Sequence, residues 1–177
     1  MSLQQRSNGF SLIEVMVTLA IAGILMALGV TAYDRWANRE SIRSGARDVA
    51  LSLQRAKGLA VKRGRNTIVR FNSPAANFYE IIDDADNNCV VDVGESVLYQ
   101  ASLPTGVTMP AASVAFSNSN AAFDARGLPL GDNGVACVPF GAGGAAGSGT
   151  VLLQMAGVNA QYQVSMSLAG GITVTRQ

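Results

Sequence analysis

The stretch Gly9-Phe10-Ser11-Leu12-Ile13-Glu14 opens a run that continues to Tyr33 and reads FSLIEVMVTLAIAGILMALGVTAY from Phe10 onward. These 24 residues hold one charge, Glu14, and no proline. As a helix they would span about 36 Å, long enough to cross the hydrocarbon of a bilayer. The run is apolar on nearly every face, so no helical period can be read from it. Such a helix is buried all round, in lipid or in a packed assembly. A carboxylate near the start of that run is costly in hydrocarbon and implies a partner or a purpose. Met1 to Asn8 is polar with Arg6 as its only charge, and a positive flank holds that end in the cytoplasm. A cleaved secretory signal shares the basic start. This run is longer than an ordinary signal, however, and passes into a patterned helix with no small-x-small site at a break. A plain single-pass anchor fits the run and leaves Glu14 unexplained.

Past Tyr33 a period appears. Ile42, Ala46, Val49, Leu53, Ala56 and Ala60 recur at spacings of four and three, one apolar stripe. Arg35, Arg39, Arg43 and Arg47 fall on another face. The stripe predicts packing against a sheet. Lys62 and Arg63 suit the negative end of a helix that stops near Gly64. With no proline between Phe10 and Gly64, one long helix covers both halves, and Gly23 and Gly29 are either tolerated small residues or close-contact points. Beyond Gly64 the period shifts toward two. Strands are predicted at 67–71, 78–82, 97–103, 135–140, 150–155, 161–168 and 172–175, with short ones at 107–109 and 114–116 and a polar turn at 118–120.

The composition narrows the function. Without the first nine residues and the apolar run, roughly 145 remain, enough for one small domain. The formal net charge of +1 falls to a side-chain sum of zero without Arg6. The charges are segregated: ten Lys or Arg against two acids from Arg35 to Arg70, then six acids and no base from Glu80 to Glu95. Histidine is absent, so serines have no histidine base and metals no histidine ligand. Nothing specifies a substrate, and no enzyme is expected. Cys89 and Cys137 allow one disulfide, with two buried unpaired thiols as the alternative. The segment 141–149, GAGGAAGSG, lacks the Gly-Lys-Ser/Thr ending of a phosphate loop.

Gly9 followed by Phe10-Ser11-Leu12-Ile13-Glu14 resembles the processing site of type IV prepilins and type II secretion pseudopilins. The resemblance implies that 1–9 is a leader cut after Gly9 by a prepilin peptidase, that Phe10 becomes an N-methylated N-terminus, and that Glu14 is the acid at the fifth mature position. Ala122-Phe123-Asp124-Ala125-Arg126-Gly127-Leu128-Pro129 is similar to the Phe-Asp-x-Arg-Gly-x-Pro segment of the GspH/FimT group of minor pseudopilins and minor pilins. On physical grounds Phe123 anchors in a core, Gly127 permits a turn that Pro129 restricts, and Asp124 and Arg126 pair or cap amides, a structural clasp rather than a catalytic pair. The implied fold is α+β and pilin-like: a transmembrane and assembly helix over 10–33, and a β-rich head over 34–177 that includes the amphipathic half of the helix, 34–64. The implied partners are other pilins or pseudopilins through helix packing, the peptidase and methyltransferase, an inner-membrane assembly platform, and lipid before assembly. The implied location is the bacterial inner membrane, single-pass, with the head in the periplasm. No cofactor is expected.

Two patches invite other readings. Asp83, Asp84, Asp86, Asp92 and Glu95 supply hard oxygen ligands suited to calcium, yet the EF-hand spacing lacks glycine at its sixth position. A solvated turn and a hydrophilic face for a partner compete with that reading. Lys57, Lys62, Arg63, Arg65 and Arg70 could neutralise phosphates. Some FimT relatives bind DNA through an arginine-bearing motif near the C-terminus, but the matching tail here holds only Arg176. Charge steering between neighbouring subunits is the preferred reading of this basic face.

Overall fold

The structure, a computed structural model, describes residues 11–116, 120–132, 137–139 and 149–177. Among the described residues one α-helix, α1 (Leu12–Arg63), is followed by ten strands: β1 (Thr67–Phe71), β2 (Phe78–Asp83), β3 (Ser96–Ser102), β4 (Val107–Thr108), β5 (Asn120–Phe123), β6 (Pro129–Asp132), β7 (Cys137–Pro139), β8 (Gly149–Met155), β9 (Tyr162–Met166) and β10 (Ile172–Arg176). By contacts the chain divides into a unit ending at Ala37 and a unit running from Asn38 to Gln177.

In the first unit the Ser11 hydroxyl accepts the amide of Glu14 at 3.3 Å, an N-terminal cap for the helix. The side chains described from Leu12 to Trp36 are nearly all exposed, large apolar ones among them. Among the described residues this is the one helix long and apolar enough to cross a membrane. Tyr33 and Trp36 stack in a tilted contact, 5.9 Å between ring centroids.

In the second unit every member of the predicted stripe, from Ile42 to Ala60, is fully buried. It packs with Val69, Phe71, Tyr79, Ile81, Phe123, Leu153 and Met166 in one core. The small residues of the stripe let the helix approach the sheet closely enough for the Thr67 hydroxyl to donate to the Ala56 carbonyl at 3.0 Å. The helix stops at Arg63 because Gly64 turns left-handed, with φ of 70°, while its amide still donates to Ala60.

The strands form two antiparallel sheets, ordered β3-β2-β1-β5-β6-β7 and β10-β9-β8-β4. Alternation along β1 separates two faces. Val69 and Phe71 enter the main core, while Ile68 joins Ala122, Leu130 and Cys89 in a second, smaller cluster. Two readings need correction. Residues 114–116 form no strand: Val114 makes a single bridge to Val151, after a 3₁₀ turn over Ala111–Ser113. Asn120, read as part of a turn, begins β5, which the sequence reading missed along with β6. β5 is central in its sheet and buried on both faces, so it lacks the alternation by which strands are read.

Candidate functional site

Four places carry the residues singled out by sequence. The first is the start of α1. Gly9 and Phe10 lie outside the described residues. Glu14 is exposed in the first turn of α1, at the start of a stretch whose described side chains are nearly all exposed.

The second is the turn between β5 and β6. Phe123 is fully buried. The next residue, Asp124, organises the turn: its Oδ1 accepts the amides of Arg126 and Leu128, both at 2.8 Å, and its Oδ2 accepts Arg126 Nε at 2.9 Å and faces Nη2 at 2.8 Å. Burial pushes the Asp124 carboxyl upward, but the Leu128 amide and the side chain and amide of Arg126 outweigh it and hold it below the ordinary carboxylate range. Gly127 has φ of 77°, and a Cβ there would stand 3.1 Å from Val61 Cγ2 and 3.2 Å from Lys57 Cγ. The turn therefore lies flat on α1, and glycine answers both the backbone sign and the lack of room. Pro129 pairs with Phe123 across the two strands.

The third is the segment from Asp83 to Glu95. Its acids do not act as one set. Asp83 closes β2 and faces Arg63 at 2.9 Å and Arg65 at 3.9 Å, away from any ligand role. Asp84, expected in an exposed loop, is fully buried and accepts the amides of Asn88 at 3.0 Å and Cys89 at 2.9 Å. Carboxylate oxygens of Asp84, Asp86 and Glu95 lie within 4.8 Å of one another. Asn88 Nδ2 donates to Asp86 at 2.8 Å and to Asp92 at 2.7 Å. Burial pushes the Asp84 carboxyl above its ordinary value; the amides of Cys89 and Asn88 oppose that rise, and Asp86 and Glu95 add to it. Counted from Asp84, the sixth position is Cys89, whose φ is 61°. The backbone thus takes at a cysteine the left-handed turn for which an EF-hand loop uses glycine. Cys89 is bonded to Cys137 of β7, with 5.3 Å between their Cα atoms, inside the usual span of a bridge.

The basic patch is largely spoken for. Arg63 and Arg65 face Asp83. Arg70 Nε donates to the buried Glu80 at 2.7 Å, and Lys57 Nζ donates to the Gly170 carbonyl at 3.3 Å. Lys62 is exposed, and Arg176 sits on β10 of the other sheet. One signal was passed over in the sequence: Tyr33 and Trp36, at the end of the apolar run and beside Arg35 and Arg39, are the residue types that anchor a helix at a membrane–water boundary.

A long N-terminal helix followed by an antiparallel head is the pilin-like fold. Residues 4–30 match the family model for the prokaryotic N-terminal methylation motif, and residues 45–170 match that for type II transport protein GspH. The second match spans well over half of the chain, which belongs to the GspH family. Two crystal structures of the type IV minor pilin FimU of Pseudomonas aeruginosa (strain PAO1) are similar, with TM-scores of 0.54 and 0.50 at 18% and 19% identity. They cover 79% and 75% of this chain and 92% and 91% of FimU, and show the shared fold. The minor pseudopilin EpsH from the type 2 secretion system of Vibrio cholerae aligns at a TM-score of 0.48 and 13% identity, over 76% of this chain and 96% of EpsH. No curated protein matches.

Proposed function

We propose that the chain is a minor structural subunit of a type II secretion pseudopilus or a type IV pilus, anchored in the inner membrane with its head in the periplasm until it enters the filament. The carrying observation is the first part of α1, apolar and exposed on every side, with Glu14 at its start. A helix of that kind is stable only in lipid or among other such helices. Transfer from lipid to a helix bundle leaves a carboxylate that must be paired. Cleavage after Gly9 frees an amine at Phe10, and that amine on the same or a neighbouring subunit supplies the partner. Processing and assembly are thereby coupled, and the pairing fixes the axial register of the subunit. The head is a packing module to which this reading assigns no reaction.

Two measurements test it. Mass spectrometry of the extracted protein should show a chain beginning at methylated Phe10; an intact Met1 or a cut after Ala22 overturns the processing step. Glu14→Gln and Glu14→Ala should be made, inserted and cleaved normally, yet recovered poorly in sheared filaments, alanine worse than glutamine. Wild-type recovery of Glu14→Ala leaves only an anchor.

A second reading concerns the acidic segment, and the left-handed Cys89 favours it. The loop from Asp84 to Glu95 is proposed to hold calcium through Asp84, Asp86 and Glu95, with Asn88 and Asp92 adjoining. Millimolar calcium, but not magnesium, should raise the Tm of the wild type and leave that of Asp86→Asn unmoved. At a hundred times the Kd the gain is about 2.7 kcal/mol. An unmoved wild-type Tm overturns the reading.

A further inference from the structure

The six-stranded sheet ends at β3, which pairs with β2 on one side and, among the described residues, with no strand on the other. The register shows which backbone groups remain free. Leu103 donates its amide to the Asn77 carbonyl, so the alternation of an antiparallel pair turns Tyr99 and Ala101 toward β2. Gln100 and Ser102 then turn their amides and carbonyls outward. The strand reads SVLYQAS, without charge or proline, the devices by which most edges are kept from pairing.

An open groove of about 690 Å³ runs beside this edge, walled by α1 on one side and by Tyr99 and Ala101 on the other. Within it the Arg55 guanidinium lies 4.2 Å over the Tyr99 ring and makes no ion pair among the described residues. Its charge therefore stands at the wall of the groove without a carboxylate partner among the described residues. Asp48, two turns back along α1, lines the other end and disfavours a second acid there.

We propose that β3 accepts an extended segment of a partner protein as a seventh strand, with one acidic side chain of that segment set against Arg55. Backbone pairing with Gln100 and Ser102 supplies affinity, and the groove supplies choice through every second side chain. The inference stands whether or not the partner is a filament subunit.

The test uses the full chain, ¹⁵N-labelled, in detergent micelles. The probes are blocked peptides of alternating threonine and valine with one central glutamate or glutamine, and the glutamate peptide N-methylated at every residue, which removes the donors from both edges. The glutamate probe should shift the amides of Gln100 and Ser102 and slow their hydrogen exchange. It should bind up to about five-fold tighter than the glutamine probe, the range of an exposed ion pair. The N-methylated probe should not bind. Arg55 is exposed, so Arg55→Gln should fold and should erase the difference between glutamate and glutamine. Shifts confined to other strands, or binding by the N-methylated probe, overturn the site. Equal binding of glutamate and glutamine by the wild type overturns the role of Arg55.

Discussion

Up to Ala37 the described apolar side chains of α1 are nearly all exposed; from Asn38 onward most fall on a single stripe and are buried in the head, with Leu51 and Val61 left outside it. Both stretches are helical and rich in aliphatic residues, so intrinsic propensity does not separate them. The difference is the solvent each was built for. The first stretch has charge only at Glu14 until Asp34, and its described side chains are nearly all exposed. The second alternates its stripe with Arg43, Arg47 and Asp48, which stay in water while Val49 and Leu53 do not. Stability of the head should therefore be a property of the second stretch alone, and assembly a property of the first.

The same substitution placed in each stretch gives the sharpest test. Leu53→Ala should cost the head about 2–5 kcal/mol, the range for truncating a leucine in a packed core. Leu25→Ala should leave the unfolding transition of the detergent-held protein where it was. A comparable loss from Leu25→Ala would mean that the first stretch contributes to the fold of the head. Next in size is Cys89→Ser. It opens a loop with a sequence separation of 48 and should cost about 2–4 kcal/mol. Thiol labelling of the denatured, unreduced wild type should find no free thiol, and two would refute the bridge.

Smaller again is Asp124→Ala, which leaves the Arg126 and Leu128 amides without their acceptor and should cost about 1–3 kcal/mol. Because the folded carboxyl titrates below its ordinary value, the contribution of its charge is full above the unfolded pKa. It is lost as pH falls through the lower, folded pKa. Denaturant midpoints of wild type and variant should converge in acid, and a gap that widens there contradicts the clasp. The least effect is expected from DNA. With Arg63, Arg65 and Arg70 facing carboxylates and Lys57 on a carbonyl, duplex binding should be no tighter than about 10 μM at physiological salt. Tighter, salt-sensitive binding in a gel-shift titration would favour an uptake role.

The sequence was most legible where one period ran long enough to count. The stripe from Ile42 to Ala60 predicted both the helix and its buried face, and Gly64 marked its end. The β5–β6 turn was legible as chemistry before its strands were: Asp124, Arg126 and Gly127 named their own roles, while β5 and β6 went unread as strands. Burial on both faces hid β5, and β6 covers only four residues. The acidic segment was misread at Asp83 and Asp84, because charge density resembles exposure, while Asp86 and Asp92 are exposed as read. Asp84 is buried by pairing with amides, which residue type alone does not reveal, and Asp83 belongs to the arginines rather than to its neighbours. The left-handed backbone at Cys89 was equally hidden, since a cysteine rarely adopts it and residue type does not announce it. In the basic patch, Glu80 and Arg70 come opposite each other only through the register of β1 and β2, a relation ten residues apart in sequence.

The bond between Cys89 and Cys137 has a consequence for connectivity. The chain between them contributes β3, β4, β5 and β6, so these four strands sit inside a covalent ring, with β1 and β2 entering it and β7 to β10 leaving. A single proteolytic nick between 90 and 136 cannot divide the molecule. The cut ends stay tethered through the sulfur atoms, and the product migrates as one species on a non-reducing gel and as two once reductant is added. Backbone breakage inside this ring is thus survivable as a covalent matter, whereas one cut before Cys89 or after Cys137 releases a fragment.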